Sequence, residues 1–131
     1  MKEIYDYLKK NPTFFLATED GNQPRVRPFG VVAEFEGKLY ISTGKQKNVF
    51  KQMQENPKIE LCAMGQDHSW LRVEATAVHD DRVEARARML EENPNISGMY
   101  KADDDNMAVL YLKDATGTIC SFSGEPKVYK F

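Results

Sequence analysis

Residues 38–51 hold four lysines, Lys38, Lys45, Lys47 and Lys51, and no acidic residue. The chain sets 18 Lys and Arg against 20 Asp and Glu, a formal charge of −2, so this segment is a local positive field. Leu39 to Thr43 reads as a strand that leads through Gly44-Lys45-Gln46 into a helix starting near Lys47. A helix start offers unpaired backbone N–H groups and the positive end of the helix dipole, and it accepts phosphate readily. Ser42 and Thr43 add hydroxyl donors, and Lys47 adds a charge in the first turn. The Walker phosphate-loop pattern is absent. The competing reading is a solvated lysine face on an ordinary loop.

A second group is Arg25-Val26-Arg27-Pro28-Phe29. Side chains alternate along a strand, so Arg25, Arg27 and Phe29 share a face. Two guanidiniums beside an aromatic ring can clamp a phosphate and flank a flat ligand. Pro28 removes a ladder donor, which marks an edge or an interruption. Arginines on an exposed edge that deter aggregation are the alternative. Trp70 is a third feature, sharing the polar face of its strand with Arg72, Glu74 and Thr76. A Trp there lines a pocket, sits at a subunit interface or makes ordinary core contacts.

Other chemistries lack their residues. His68 and His79 are the only histidines, and neither has Cys or His at metal-ligand spacing. No Gly-x-Ser-x-Gly nucleophile elbow occurs. Asp103-Asp104-Asp105-Asn106 lacks the glycine and terminal glutamate of a calcium loop. Cys62 and Cys120 read as reduced thiols in or near the core, with no Cys-x-x-Cys pairing. With no evident nucleophile or acid–base pair, an enzyme built on this chain needs a cofactor to carry the reaction.

The elements that position these groups follow from composition and period. At 131 residues, 41% hydrophobic and 29% charged, the chain is expected to form one domain, residues 1–131. Ile4, Tyr5 and Leu8 predict a short helix ended by Asn11-Pro12. Phe14 to Thr18 predicts a strand, followed by a turn at Asp20-Gly21. Arg25 to Phe35 predicts one long strand, and Lys38 to Thr43 its partner across Glu36-Gly37. Lys47 to about Glu55 predicts a helix that either crosses to a parallel neighbour or caps a barrel end. Ile59 to Met64 and Trp70 to His79 predict strands. A helix capped by Asp80 or Asp81 is expected to reach about Glu92, with Val83, Ala87 and Leu90 as its apolar stripe. Met107 to Leu112 and Thr118 to Phe122 predict the last strands, and Ser123 to Phe131 a tail. Strands at hairpin spacing favour a small antiparallel barrel. The N-terminus lacks the pattern of a signal peptide and no apolar run reaches membrane-span length. A cytoplasmic location without a membrane partner is expected.

The ordered set Gln23-Pro24-Arg25-Val26-Arg27-Pro28-Phe29, Gly37-Lys38-Leu39-Tyr40-Ile41-Ser42-Thr43-Gly44, Lys47 with Val49, and Asn56-Pro57-Lys58-Ile59 resembles the pyridoxamine 5'-phosphate oxidase-like, FMN-binding split-barrel family. Ser69 to Ala75 is similar to that family's next barrel strand. The resemblance implies a mainly β (α+β) fold, a six-stranded antiparallel split β-barrel with flanking helices. It implies a homodimer with FMN at the subunit interface. By position, Arg27 would bind the phosphate with Lys47 assisting and Asn48 beside it. Pro28, Phe29, Ile41, Ser42 and Thr43 would meet the ring and ribityl chain, and Trp70 would approach the flavin from the neighbouring strand. The oxidase's basic C-terminal arm has no counterpart in Lys127-Val128-Tyr129-Lys130-Phe131. The short length is similar to the nitroimidazole-reductase branch. The expected function is a flavin-dependent oxidoreductase acting on a small molecule. The alternatives are a non-catalytic flavin-binding or stress-response protein and a nucleotide- or nucleic-acid-binding barrel, the last opposed by the net charge.

Overall fold

A computed structural model describes residues 1–131. The chain opens with α1 (Lys2–Lys10), whose Ile4 and Leu8, one turn apart, are both buried. Four strands follow: β1 (Phe14–Asp20), β2 (Gln23–Phe29), β3 (Val32–Phe35) and β4 (Lys38–Gly44). Then come α2 (Asn48–Glu55), β5 (Lys58–Met64), β6 (Trp70–Asp80) and α3 (Val83–Glu92). A 3₁₀ turn (Pro94–Ile96), β7 (Met107–Cys120) and β8 (Lys127–Lys130) complete the chain. Glu36 and Gly37 both have positive φ, 53° and 76°, as a tight hairpin turn between twisted strands requires.

All strand pairs are antiparallel. The sheet runs β2-β1-β5-β6-β7-β4-β3, with β8 also on β7. Its two end strands, β2 and β3, are consecutive in the chain and joined only by Gly30 and Val31. Such a link spans at most about 10 Å. The sheet therefore curls until its ends almost meet, and the seam between them is not hydrogen-bonded. This is a split β-barrel with flanking helices, and it has eight strands rather than the expected six.

The added strands come from long-range pairing. Arg25 to Phe35 is two strands, because Phe29 pairs with Phe14 whereas Val32 pairs with Ile41 on the other side of the seam. Pro28 lies on the terminal strand β2, where its missing N–H costs least. Met107 to Cys120 is one strand, not two. It bends at Asp114, φ 51°, where the register against β6 shifts between Glu74 and Thr76. The expected tail contains β8, which pairs with Thr116 to Ile119. Helix α2 caps the barrel and is no crossover, since β4 and β5 are not neighbours.

The barrel interior is filled by alternating inward residues, among them Phe14, Leu16, Ile41, Leu61, Val73 and Leu110, with Phe50 and Met53 of α2 closing one end. A second cluster packs α3 on the outer face of β3, β4 and β7 through Tyr40, Met89 and Val109. The buried stripe of α3 is Ala85 and Met89, while Val83 is exposed. Its N-cap is Arg82, and Asp80 accepts the Arg82 backbone N–H at 3.1 Å instead of capping the helix. Cys62 and Cys120 are free and half-buried, on β5 and β7 with β6 between them.

Candidate functional site

The seam of the barrel, the β4–α2 turn and the start of α2 enclose two connected recesses. Arg27, Lys47 and Val49 line both. The first, about 730 Å³, adds Arg25, Lys51 and Gln52, with Asp20 and Glu55 also on its lining. The second, about 300 Å³, is more apolar and is lined by Phe29, Val31, Ile96 and Tyr100 together with Ser42 and Thr43. No carboxylate, histidine or cysteine lines the second recess.

The β4–α2 turn is tightly held. The Lys47 N–H donates to the Gly44 carbonyl at 3.0 Å, and the Lys45 N–H to the Asn106 carbonyl at 2.6 Å. Gly44 admits close neighbours: a Cβ there would lie 3.1 Å from the Tyr100 hydroxyl and 3.3 Å from the Asn106 amide. Helix α2 has no side-chain cap and no acid in its first turn. Its positive end therefore faces the first recess without compensation.

Arg27 crosses from β2 toward α2. Its Nη1 donates to the Leu16 carbonyl at 3.1 Å and to Thr18 Oγ1 at 2.8 Å, and its Nη2 donates to Gln52 Oε1 at 2.7 Å. All three acceptors are neutral. Burial, and secondarily Arg25, lowers the Arg27 guanidinium below its ordinary value. Lys47 and Lys51 form no ion pair, whereas Arg25 pairs with Asp20 and Lys45 with Asp81. Three unpaired cations at one helix start can hold an anion.

Two buried polar atoms lack partners, Ser42 Oγ and His79 Nε2. An unmet buried hydroxyl in a cleft wall is suited to a ligand hydrogen bond. His79 packs edge-on against Phe50, with ring centroids 5.1 Å apart, and burial pushes its imidazole below the usual value. No three His, Cys, Asp or Glu side chains converge on a common point.

Of the residues singled out from sequence, Arg27, Pro28, Phe29, Ser42, Thr43, Lys47 and Asn48 line these two recesses. Ile41 does not, because its side chain is fully buried in the barrel core. Trp70 lies at the far end of β6, packed against Phe122 with ring centroids 5.1 Å apart and planes tilted by 53°. The opposite end of that strand, Asp80, shares Val109 as partner with Ser42. Ten residues of strand, roughly 30 Å, thus separate Trp70 from the cleft within one chain. Gln52, Ile96 and Tyr100 also line the recesses and Thr18 bonds Arg27 beside them; the sequence reading missed all four. Gln52 and Thr18 did leave a signal: each is a polar residue on an otherwise apolar, inward-facing stripe.

A split barrel with a cationic cleft at its seam places the protein in the class of split-barrel proteins. The chain belongs to the pyridoxamine 5'-phosphate oxidase family, whose model matches residues 1–113. Curated proteins give no match. Among solved structures, a NimC/NimA family protein from Clostridium acetobutylicum is 46% identical, with a TM-score of 0.97, over 100% of this chain and 92% of that one. General Stress Protein 26 from Bacillus anthracis is similar in fold, at 16% identity and a TM-score of 0.79, over 99% of this chain and 97% of that one. So is a heme binding protein from Mycobacterium smegmatis, at 12% identity and a TM-score of 0.70, over 95% of this chain and 55% of that one.

Proposed function

We propose that residues 1–131 act as one FMN-binding split-barrel domain, a flavin-dependent oxidoreductase of a small molecule working as a homodimer. The observation that carries this reading is the pairing of unpaired cations with a more apolar recess at one seam. Arg27, Lys47 and the start of α2 would hold the phosphate. Asn48 lies beside them. Pro28, Phe29, Ser42 and Thr43 would meet the ribityl chain and ring, and the unpartnered Ser42 hydroxyl would gain a partner there. FMN, when bound, would supply hydride transfer to or from a substrate. The chain's residues bind and orient it, and Ile96 and Tyr100 exclude water from the ring side of the recess.

The outer face of the sheet supports the dimer. Phe15, Met64, Phe122 and Val128 are exposed there, and Phe122 is 90% accessible. The outward row Pro28, Phe15, Cys62, Arg72, Thr118 and Val128 is continuous by register. It starts at Pro28, on the cleft wall. A second copy packed on this face would reach the cleft, and its Trp70 would approach the site from across the interface. No helix is long and apolar enough to cross a membrane.

The test is an absorption spectrum of the purified protein, with any released chromophore identified by chromatography. Bound FMN that is lost in Arg27→Ala/Lys47→Ala supports the site. A protein that ignores added FMN refutes it. That no carboxylate, histidine or cysteine lines the second recess favours one other reading, flavin binding without turnover. Oxidation of NADH or NADPH with quinones or nitroaromatics as acceptors excludes that reading.

A further inference from the structure

The chain has six arginines, and five of them pair with carboxylates: Arg25 with Asp20, Arg72 with Glu60, Arg82 with Glu36 and Asp80, Arg86 with Asp81, and Arg88 with Glu91 and Glu92. Arg27 alone does not. Its contacts form a closed ring instead. Nη1 donates to Thr18 Oγ1 at 2.8 Å, Thr18 Oγ1 donates to Gln52 Oε1 at 2.6 Å, and Nη2 donates to the same Oε1 at 2.7 Å. Both partners are more than nine-tenths buried.

A guanidinium has five N–H donors. Here Nη1 spends both of its donors, on Thr18 and the Leu16 carbonyl, and Nη2 spends one on Gln52. The Nε–H and the second Nη2–H remain. These two lie parallel on one edge of the fork, the arrangement that grips two oxygens of a phosphate or carboxylate. The ring thus fixes the end of the fork and leaves its side free. A carboxylate in place of either partner would fix the same geometry and cancel the charge.

We propose that Gln52 and Thr18 are positioning residues that hold Arg27 as a pre-oriented, uncompensated phosphate clamp. The proposal rests on the FMN reading and names the part of the ligand that these two residues serve. A neutral clamp makes the site selective for the phosphorylated flavin over riboflavin, because only the phosphate meets the free edge of Arg27.

The experiment is titration of the flavin-free protein with FMN and with riboflavin, followed by flavin fluorescence, in wild type, Gln52→Glu and Thr18→Val, with a melting temperature for each. In Gln52→Glu the introduced carboxylate pairs with Arg27 and repels the phosphate. FMN affinity should fall at least about tenfold, the scale of one adverse unit charge near an anion in a half-buried site. Riboflavin affinity should stay within about twofold, since net hydrogen-bond terms on the ring side are untouched. The melting temperature should not drop. Thr18→Val loosens the ring without adding charge and should weaken FMN several-fold and riboflavin not at all. The proposal is overturned if Gln52→Glu and Thr18→Val bind FMN as wild type does, or lose both flavins equally. If the wild type already binds both flavins equally, the phosphate assignment itself fails, and the clamp with it.

Discussion

The Tyr40 hydroxyl donates a 2.7 Å hydrogen bond to Asp80, in the layer between β4 and α3. Asp80 also accepts from the Arg82 guanidinium at 2.9 and 3.0 Å, and Arg82 reaches on to Glu36 in the β3–β4 turn at 2.6 Å. One buried carboxylate thus ties the hairpin that walls the cleft to the end of β6 and the start of α3.

That arrangement sets an acid limit. Hydrogen bonds from Arg82, and then from Tyr40, hold the Asp80 carboxyl at about 2 against an ordinary 3.8, while burial opposes them. The folded value is the lower one. The stabilisation is therefore complete above pH 3.8 and is lost as pH falls through about 2. Asp80→Asn should cost on the order of 2 kcal/mol at pH 7, at about 1.4 kcal/mol per pKa unit. Its stability should also vary less than wild type between pH 4 and 2. Urea melts across that range check both, and parallel curves for the two proteins would contradict the assignment.

Gly117 gives a packing prediction. A Cβ there would stand 2.6 Å from Ile4 Cδ1, so the glycine makes room for α1 to seat its isoleucine against β7. Gly117→Ala should destabilise by about 1–3 kcal/mol through overpacking. Ile4→Val should recover part of that loss when added to Gly117→Ala. Chemical denaturation of the single and double variants measures the coupling, and strict additivity would argue against the contact.

Ser42→Ala should separate folding from binding. Removing a buried hydroxyl that has no partner should leave the flavin-free protein as stable as wild type or about 1 kcal/mol more stable. FMN affinity should fall about five- to tenfold, the worth of one hydrogen bond. A melting curve and a flavin titration read the two effects, and a loss of stability without loss of affinity would sink the ligand role.

Phe122→Asp should report on the assembly. Phe122 covers Trp70 on the exposed outer face, far from the cleft of its own chain. If that face joins two copies, the variant should sediment as a monomer and bind FMN weakly while keeping its fold. Unchanged sedimentation and unchanged FMN binding would show that the face is not the interface.

The sequence disclosed what short-range physics decides. Asp20-Gly21 and Glu36-Gly37 mark hairpin turns by their backbone needs alone. The alternation of Leu71, Val73, Ala75 and Ala77 shows which face of β6 enters the barrel. The cations of the cleft are legible because Lys47 follows a strand end and opens a helix. What stayed hidden depends on partners remote in sequence. Nothing local to Gly30 shows that Phe29 and Val32 belong to opposite ends of the sheet. Asp114 bends a strand that continues because β6 pairs on both sides of it, and β8 adds to the pairing beyond it. Tyr100 reaches the cleft only through the fold of residues 94–106 over Gly44.

The order of strands carries a kinetic consequence. The β3–β4 hairpin, with Ser42 and Thr43, joins the rest of the sheet only through β7. A chain emerging from the ribosome holds Arg27 and Lys47 long before residues 107–111 exist to pair with β4. Until they do, the two banks of the cleft are tethered by Gly30 and Val31 but not registered. Completion of the cleft is thereby postponed until β7 has been made, and a stalled or truncated nascent chain that lacks it cannot hold both banks in register.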